Sequence, residues 1–440
     1  MGFEDEIKKV SEKFSNFNGV VRIVTYVGSD GVCAASILVK AFQRKGLNYV
    51  VSVVKQINDE LLVNLSKEEY GIFIFCDIGS SYVKEIAEKL EGKTVIIFDH
   101  HEPKKEDSFV ANINPFLFGI DGVKEISSAG ICYCFAKELD NRNKDLVYLA
   151  LVGAIGDLQE NNGFVGYNSK FLEEAGDYID IKDGLKLFGA YSRTVERLLE
   201  FGVDCYIKGI TRSKTNVVNF LKEVGVELSE KEKRLKFAEL DDDKLKKICK
   251  AIILKGNKDV KDIYGKIYLL KSEPMDLREF STAINSCVRM NQAGLGVGVC
   301  LKNPGSLESA LNLLERYEGE ILDGLDWFYS KKHDSVAGYS IVDFESNIKE
   351  MLIGVLNTLL VKAGSFDEES FVFMMVDTLD NEVKVSLRRG KEGVNLREVL
   401  EKVVFKVGGT VGGHSFGAGG HIPLEKKEEF IGLIRQEFDR

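Results

Sequence analysis

Three short apolar runs near the start of the chain constrain its fold more than any other feature. They are Val20-Val21-Arg22-Ile23-Val24, Ile72-Phe73-Ile74-Phe75 and Thr94-Val95-Ile96-Ile97-Phe98. Each is rich in β-branched or aromatic residues and too short for a stable helix, so each reads as a strand of a parallel sheet, buried on both faces. A further strand fits Tyr49 to Val54. Amphipathic stretches lie between the runs, Ala34 to Lys45 and Val83 to Leu90 among them, and residues 1–17 carry Phe3, Ile7, Val10 and Phe14 at helical spacing. Strands alternating with helices predict an α/β domain with a doubly wound parallel sheet. In that architecture functional residues gather beyond the carboxyl ends of the strands.

The rest of the chain divides by composition. Residues 135–200 read as mostly helical, and 205–270 as a Lys- and Glu-rich, solvated helical insertion. A second α/β pattern begins near Lys266, with strands expected at 296–301, 371–376 and 383–387, a Gly-rich loop from Val407 to Gly420 and a helix from Glu425. The expected domains are therefore 1–200, a helical linker or partner-binding region at 201–265, and a smaller α/β domain at 266–440.

With 440 residues, 44% apolar and 29% charged, the chain is long enough for two or three domains. No run approaches the ~20 apolar residues that span a bilayer. The start, Met1-Gly2-Phe3-Glu4-Asp5-Glu6, has no signal-peptide layout, so a cytoplasmic protein with no membrane association is expected. Net charge of −10 argues against a uniformly basic surface for sequence-blind DNA binding, but leaves room for a local basic groove and for protein partners. Eight scattered cysteines without paired CxxC motifs read as free, mostly buried thiols rather than zinc ligands. Trp327 and His333 have no partner motif and read as structural.

The residues that bear chemistry stand where strands end. Asp99-His100-His101 directly follows the run ending at Phe98; carboxylate with imidazole is a ligand set for divalent ions. Asp77 closes the run Ile72–Cys76, and Asp30 follows the first. An acid at such a position often only caps the next helix. Asp157 ends the small-residue apolar stretch Leu151-Val152-Gly153-Ala154-Ile155-Gly156 and is expected to be buried, which is costly for a carboxylate without a partner or cation.

Taken together, Asp77, Asp99-His100-His101 and Gly153-Ala154-Ile155-Gly156-Asp157 resemble motifs two, three and four of the DHH phosphoesterase superfamily, in particular its RecJ-like members. Val411-Gly412-Gly413-His414 with Gly417 to Gly420 resembles the GGGH motif of the DHH-associated domain. Ser386-Leu387-Arg388 resembles that domain's substrate-contacting Ser and Arg, and Asn285 to Arg289 resembles the NAxGR segment of RecJ-like nucleases. Val54-Lys55-Gln56-Ile57 and the stretch 152–160 look like the archaeal GINS-associated RecJ nucleases. The resemblance covers essentially the whole chain. It implies an N-terminal DHH domain facing a smaller DHH-associated domain across a cleft. It also implies two Mn²⁺ or Mg²⁺ ions, catalysis around Asp30, Asp77, Asp99, His100, His101 and Asp157, and substrate contacts from Ser386, Arg388, Gly412, Gly413, His414 and Arg289.

One motif departs. Family members carry H-x-D-x-D-G as motif one; this chain has Tyr26-Val27-Gly28-Ser29-Asp30-Gly31. By resemblance, one metal seat is complete in Asp30, Asp77, His100 and Asp157. The other keeps only Asp77, because Tyr26 and Gly28 replace its His and Asp. The resemblance thus implies an impaired or inactive nuclease of archaeal DNA replication and repair, retained as a scaffold with GINS and the replicative helicase. The competing expectation is an active Mn²⁺-dependent single-strand exonuclease or phosphodiesterase acting on DNA or RNA, and a weaker one is passive single-strand binding.

Overall fold

A computed structural model describes residues 2–438 apart from 105–108, 162, 257–258, 274, 334, 337, 392 and 415. The chain divides into two compact units, residues 1–192 with 264–314, and residues 193–263 with 315–440.

The first unit is built on a five-stranded sheet of β1 (Val20–Tyr26), β2 (Asn48–Val54), β3 (Ile72–Cys76), β4 (Thr94–Phe98) and β5 (Ala111–Ile113), in the order β2-β1-β3-β4-β5. All four pairings are parallel. Strand order reverses between β1 and β3, and a crevice for ligands opens at such a switch point. α1 (Phe3–Glu12), α2 (Ser29–Lys45), α3 (Asp59–Ser66), α4 (Val83–Lys89), α5 (Ser128–Leu139), α6 (Val147–Gly156) and α7 (Gly166–Glu174) accompany it. β3, a run with no polar residue, is buried along its whole length. α2 is buried over most of its length and stops at Gly46, whose φ of 75° gives the left-handed cap. Phe14, Phe42 and Phe135 interlock in the core, with ring centroids 5.3–6.4 Å apart.

Part of the sequence beyond residue 135 folds differently from the expectation. Residues 179–185 form a strand, β6 (Ile179–Leu185), which pairs with β7 (Tyr264–Leu270), and β7 pairs with β8 (Met275–Asp276) in a small antiparallel sheet. The segment 264–314 packs with the first unit, so the compact boundary does not follow the expected start of the C-terminal domain near 266. Within that segment, the strand expected at 296–301 is a helix, Ala293–Cys300. A short, wholly apolar run gives no periodicity to separate a buried strand from a buried helix. Here the helix packs on α2 and on the helix Leu277–Arg289: a Cβ on Gly296 would sit in ordinary contact, 3.5 Å from both Val32 and Cys287.

The second unit holds a six-stranded sheet of β9 (Ser335–Val336), β10 (Tyr339–Asp343), β11 (Phe371–Asp377), β12 (Glu382–Arg388), β13 (Thr410–His414) and β14 (Gly417–Pro423), in the order β13-β14-β12-β11-β10-β9. Its core gathers Phe373, Val385, Leu387, Leu400, Val404 and Phe430. The expected strands at 371–376 and 383–387 are β11 and β12. The Gly-rich stretch is no irregular loop: Val411, Gly412 and Gly413 pair with Gly420, Gly419 and Ala418 in an antiparallel hairpin. Trp327 lies in the helix Ser306–Ser330, whereas His333 lies beyond that helix with its ring stacked on Phe328. None of the eight cysteines is joined in a disulfide. Among the described residues no helix is long and apolar enough to cross a membrane.

Candidate metal centre

Asp30, Asp77, His100 and Asp157 bring one ligand atom each to within 4.8 Å of one another. Four separate elements supply them. Asp30 sits in the first turn of α2, directly after β1. Asp77 and His100 follow β3 and β4. Asp157 caps the carboxyl end of α6.

Each is held by its surroundings. The Asp30 carboxylate accepts backbone N–H bonds from Ser128 (2.8 Å) and Ala129 (3.0 Å) at the N-terminus of α5, where the helix dipole favours an anion. Asp77 has a φ of 60°, a left-handed backbone that a side chain other than Gly adopts at a cost. Its N–H is tied to the Phe98 carbonyl at 2.9 Å, and the Ser128 hydroxyl donates to its Oδ1 at 3.2 Å. His100 Nδ1 lies 2.7 Å from the carbonyl of Gly122. A carbonyl accepts only, so Nδ1 carries the proton and the lone pair of the neutral ring belongs to Nε2.

That Nε2 is buried and has no hydrogen-bond partner among the described residues. Around it stand carboxylate oxygens of Asp157 at 3.2 Å, Asp77 at 3.4 Å and Asp30 at 3.9 Å. Burial, with the charges of Asp77 and Asp157 beside it, pushes the Asp30 carboxyl well above the usual carboxylate range. Burial likewise raises Asp77, partly offset by His100. His100 is driven the other way by burial, but Asp157 and Asp77 outweigh that and raise it well above an ordinary imidazole. Three acids converging on one imidazole nitrogen are a donor set of hard oxygens and one nitrogen, which suits Mn²⁺ or Mg²⁺ better than zinc.

Asp99 does not join this group. Its Oδ2 accepts from the Ser80 N–H at 2.9 Å, and its Oδ1 lies 2.8 Å from His101 Nδ1. Burial acts against its ionisation, but His101 and Ser80 overcome that and lower its pKa. Asp99 therefore orients His101, which is half-buried and forms a second group of potential ligands with Asp77 and His100. Asp157 is not the buried acid expected from its apolar context: its side chain is 34% exposed, because it lies just past the end of α6 at Gly156.

Tyr26 and Gly28 also stand close to Asp77. A Cβ built on Gly28 would lie 3.9 Å from Asp77 Oδ2 and 4.0 Å from the Tyr26 ring, both ordinary contacts. Burial and the nearby Asp77 raise the Tyr26 phenol, and Arg289, exposed at the end of its helix, partly offsets them. Without a cation beside it, Tyr26 is thus a neutral phenol.

The remaining expected residues lie in the second unit. Ser386 is buried, and Asn357 Nδ2 is 3.3 Å from its hydroxyl. Arg388 donates to Thr358 Oγ1 (3.0 Å), Leu387 O (2.9 Å) and Ala418 O (3.3 Å). Gly412 and Gly413 are exposed on β13. His414 ends that strand; its side chain lies outside the described residues. Sequence reasoning missed the Ser127–Ala129 helix start that cradles Asp30 and the Gly122 carbonyl that orients His100. Ser127 as the cap of α5 was the available signal.

Residues 21–154 match the DHH family N-terminal domain, 187–261 the DHH-CID domain and 333–440 the DHHA1 domain. The chain is 29% identical to the uncharacterized protein MJ0831 of Methanocaldococcus jannaschii, over 97% of this chain and 95% of that one. In structure it resembles CDC45 from Entamoeba histolytica, with a TM-score of 0.71 at 12% identity, covering 100% of this chain and 99% of that one. It also resembles RecJ in complex with Mn²⁺ from Thermus thermophilus, with a TM-score of 0.62 at 16% identity; all of this chain spans 55% of that longer one. An exonuclease RecJ bound to manganese matches at a TM-score of 0.62 and 16% identity, over 100% of this chain and 95% of that one.

Proposed function

Because the chain belongs to the DHH family, we propose that it is a RecJ-like protein of DNA replication and repair holding one divalent ion, Mn²⁺ or Mg²⁺, at Asp30, Asp77, His100 and Asp157. Its hydrolytic activity is impaired, and its cytoplasmic role is that of a scaffold binding GINS and the replicative helicase. The observation that carries this reading is the contrast around Asp77: Asp30, His100 and Asp157 converge with it, whereas Tyr26 and Gly28 nearby supply only a phenol and no side chain.

A bound ion would polarise a phosphoryl oxygen and lower the pKa of its water; two-metal hydrolysis needs a partner ion to clamp the other reacting oxygen. The chain's own part is to hold His100 in the ligating tautomer through Gly122, to fix Asp30 on α5, and to orient His101 through Asp99. Arg388, Ser386, His414, Gly412, Gly413 and Arg289 are proposed to contact the phosphates of a single strand. The scaffold role predicts co-elution with purified GINS and helicase, unchanged by Asp77→Asn.

A second reading, an active Mn²⁺-dependent exonuclease or phosphodiesterase, is favoured by the second ligand group of Asp77, His100 and His101. A single-strand hydrolysis assay in Mn²⁺ separates the two. The wild type should be nearly inert, while Tyr26→His with Gly28→Asp should gain about two to four orders of magnitude, the scale of several kcal/mol of Lewis-acid stabilisation. Wild-type turnover that Asp77→Asn abolishes would instead establish the enzyme.

A further inference from the structure

We propose that Phe416 is a stacking platform for a nucleobase, seated beside a phosphate held by Arg388. The inference rests on the reading that this unit binds single-stranded nucleic acid, and adds how a base, rather than the backbone alone, is engaged.

Phe416 stands directly before β14 and is 67% exposed. A singly exposed aromatic ring is ordinary on a protein surface. What marks this one is its neighbour. At Gly417 the Arg388 guanidinium comes close to the backbone, so that a Cβ there would meet Arg388 Cζ and Nη1 at 2.7 Å. The side chain of Arg388 is anchored by Thr358, Leu387 and Ala418. The positioned cation therefore packs on the residue that follows the exposed ring in the chain. On the neighbouring strand, Gly412 and Gly413 are exposed on β13 and bring no side chain, and a Cβ on Gly412 would meet nothing within 4 Å.

A nucleotide presents a planar π-face and an anionic oxygen within one monomer, which this pair matches. Stacking on an aromatic side chain tolerates any base, while a guanidinium satisfies phosphate geometry. Together they suit single strands without sequence preference. A duplex keeps its bases stacked on one another and offers no free face.

The test is fluorescence anisotropy with a short oligothymidylate and an abasic strand of equal length and phosphate number, each labelled through a flexible linker. Phe416→Ala should weaken oligothymidylate binding by about 5- to 100-fold and leave abasic binding unchanged, with wild-type thermal denaturation. Phe416→Trp should retain the affinity for oligothymidylate. Equal losses on both strands, or no loss on either, would overturn the stacking role while the nucleic-acid reading stood. If the wild type bound neither strand, the nucleic-acid reading would fall and the inference with it.

Discussion

Two glycines at the centre, Gly153 and Gly28, face different neighbours. A Cβ on Gly153 would meet Asp30 Oδ1 at 2.2 Å and the Ala129 side chain at 2.6 Å; a Cβ on Gly28 would meet nothing closer than 3.9 Å. One corner is closed around a carboxylate that also ties α2 to α5. The other is open, and the fold asks nothing of the residue there. The contrast explains how a chain can keep Asp30 while positions 26 and 28 change. Asp30 is bound into the packing, so its loss disturbs the fold as well as the site. At position 28 the backbone is extended and a Cβ would make only ordinary contacts, so the backbone there does not require glycine.

The largest effect should come from closing the tight corner. Gly153→Ala forces Asp30 or α5 to shift and should cost about 2–5 kcal/mol, combining overpacking with lost hydrogen bonds to a buried carboxylate. Denaturation should show the loss, and calorimetry should show weakened Mn²⁺ binding. Stability intact after this substitution would mean that the corner is not closed.

Next in size is the response to metal. Asp30, Asp77 and His100 all have pKa values raised in the folded state. The metal-free folded state therefore binds more protons than the unfolded chain. For the two acids, the associated stability is present below their unfolded pKa and is lost as pH rises through the folded values. For His100 it is likewise lost as pH climbs through its raised folded pKa. The metal-free protein should melt at lower temperature at pH 8 than at pH 5.5. Mn²⁺ requires the deprotonated ligands, so its stabilisation should grow over the same range, reaching about 2.7 kcal/mol at a hundredfold excess over Kd. A Mn²⁺ response independent of pH would place the ion elsewhere.

A smaller change is expected of Asp77→Asn. Asparagine tolerates the left-handed backbone and removes a buried carboxyl that is hard to ionise. The metal-free variant should be at least as stable as the wild type at pH 8, yet should lose the Mn²⁺ response; a retained response would remove Asp77 from the ligand set. The smallest effect belongs to the open corner: Gly28→Ala should shift stability by no more than about 0.5 kcal/mol. A larger loss would show that glycine is needed there for packing.

Much of this centre is legible in the chain because a strand's end is a local signal. Asp77 and Asp99-His100-His101 each follow an uninterrupted apolar run, and the structure sets them at the ends of β3 and β4. What closes the site is not local. Asp30 is gripped by backbone N–H groups 98 and 99 residues away, and His100 is oriented by a carbonyl 22 residues on. Backbone groups carry no residue-type signature. The helix at 293–300 and the return of 264–314 to the first unit were hidden for a related reason. Both depend on what the segment packs against, and an apolar run rich in glycine does not declare its partner. Asp157 misled in the opposite sense, since its apolar neighbours are buried in α6 while it sits past the helix end.

The most direct test of a one-ion centre is the stoichiometry of Mn²⁺ bound by the wild type and by the Tyr26→His, Gly28→Asp variant, read by isothermal titration calorimetry with elemental analysis. One ion in the wild type, lost with Asp77→Asn, and two in the double variant are the expected results. Two ions in the wild type would contradict the account, because the corner formed by Tyr26 and Gly28 would then not be vacant of ligands in effect, and the proposed loss of hydrolysis would have no structural cause.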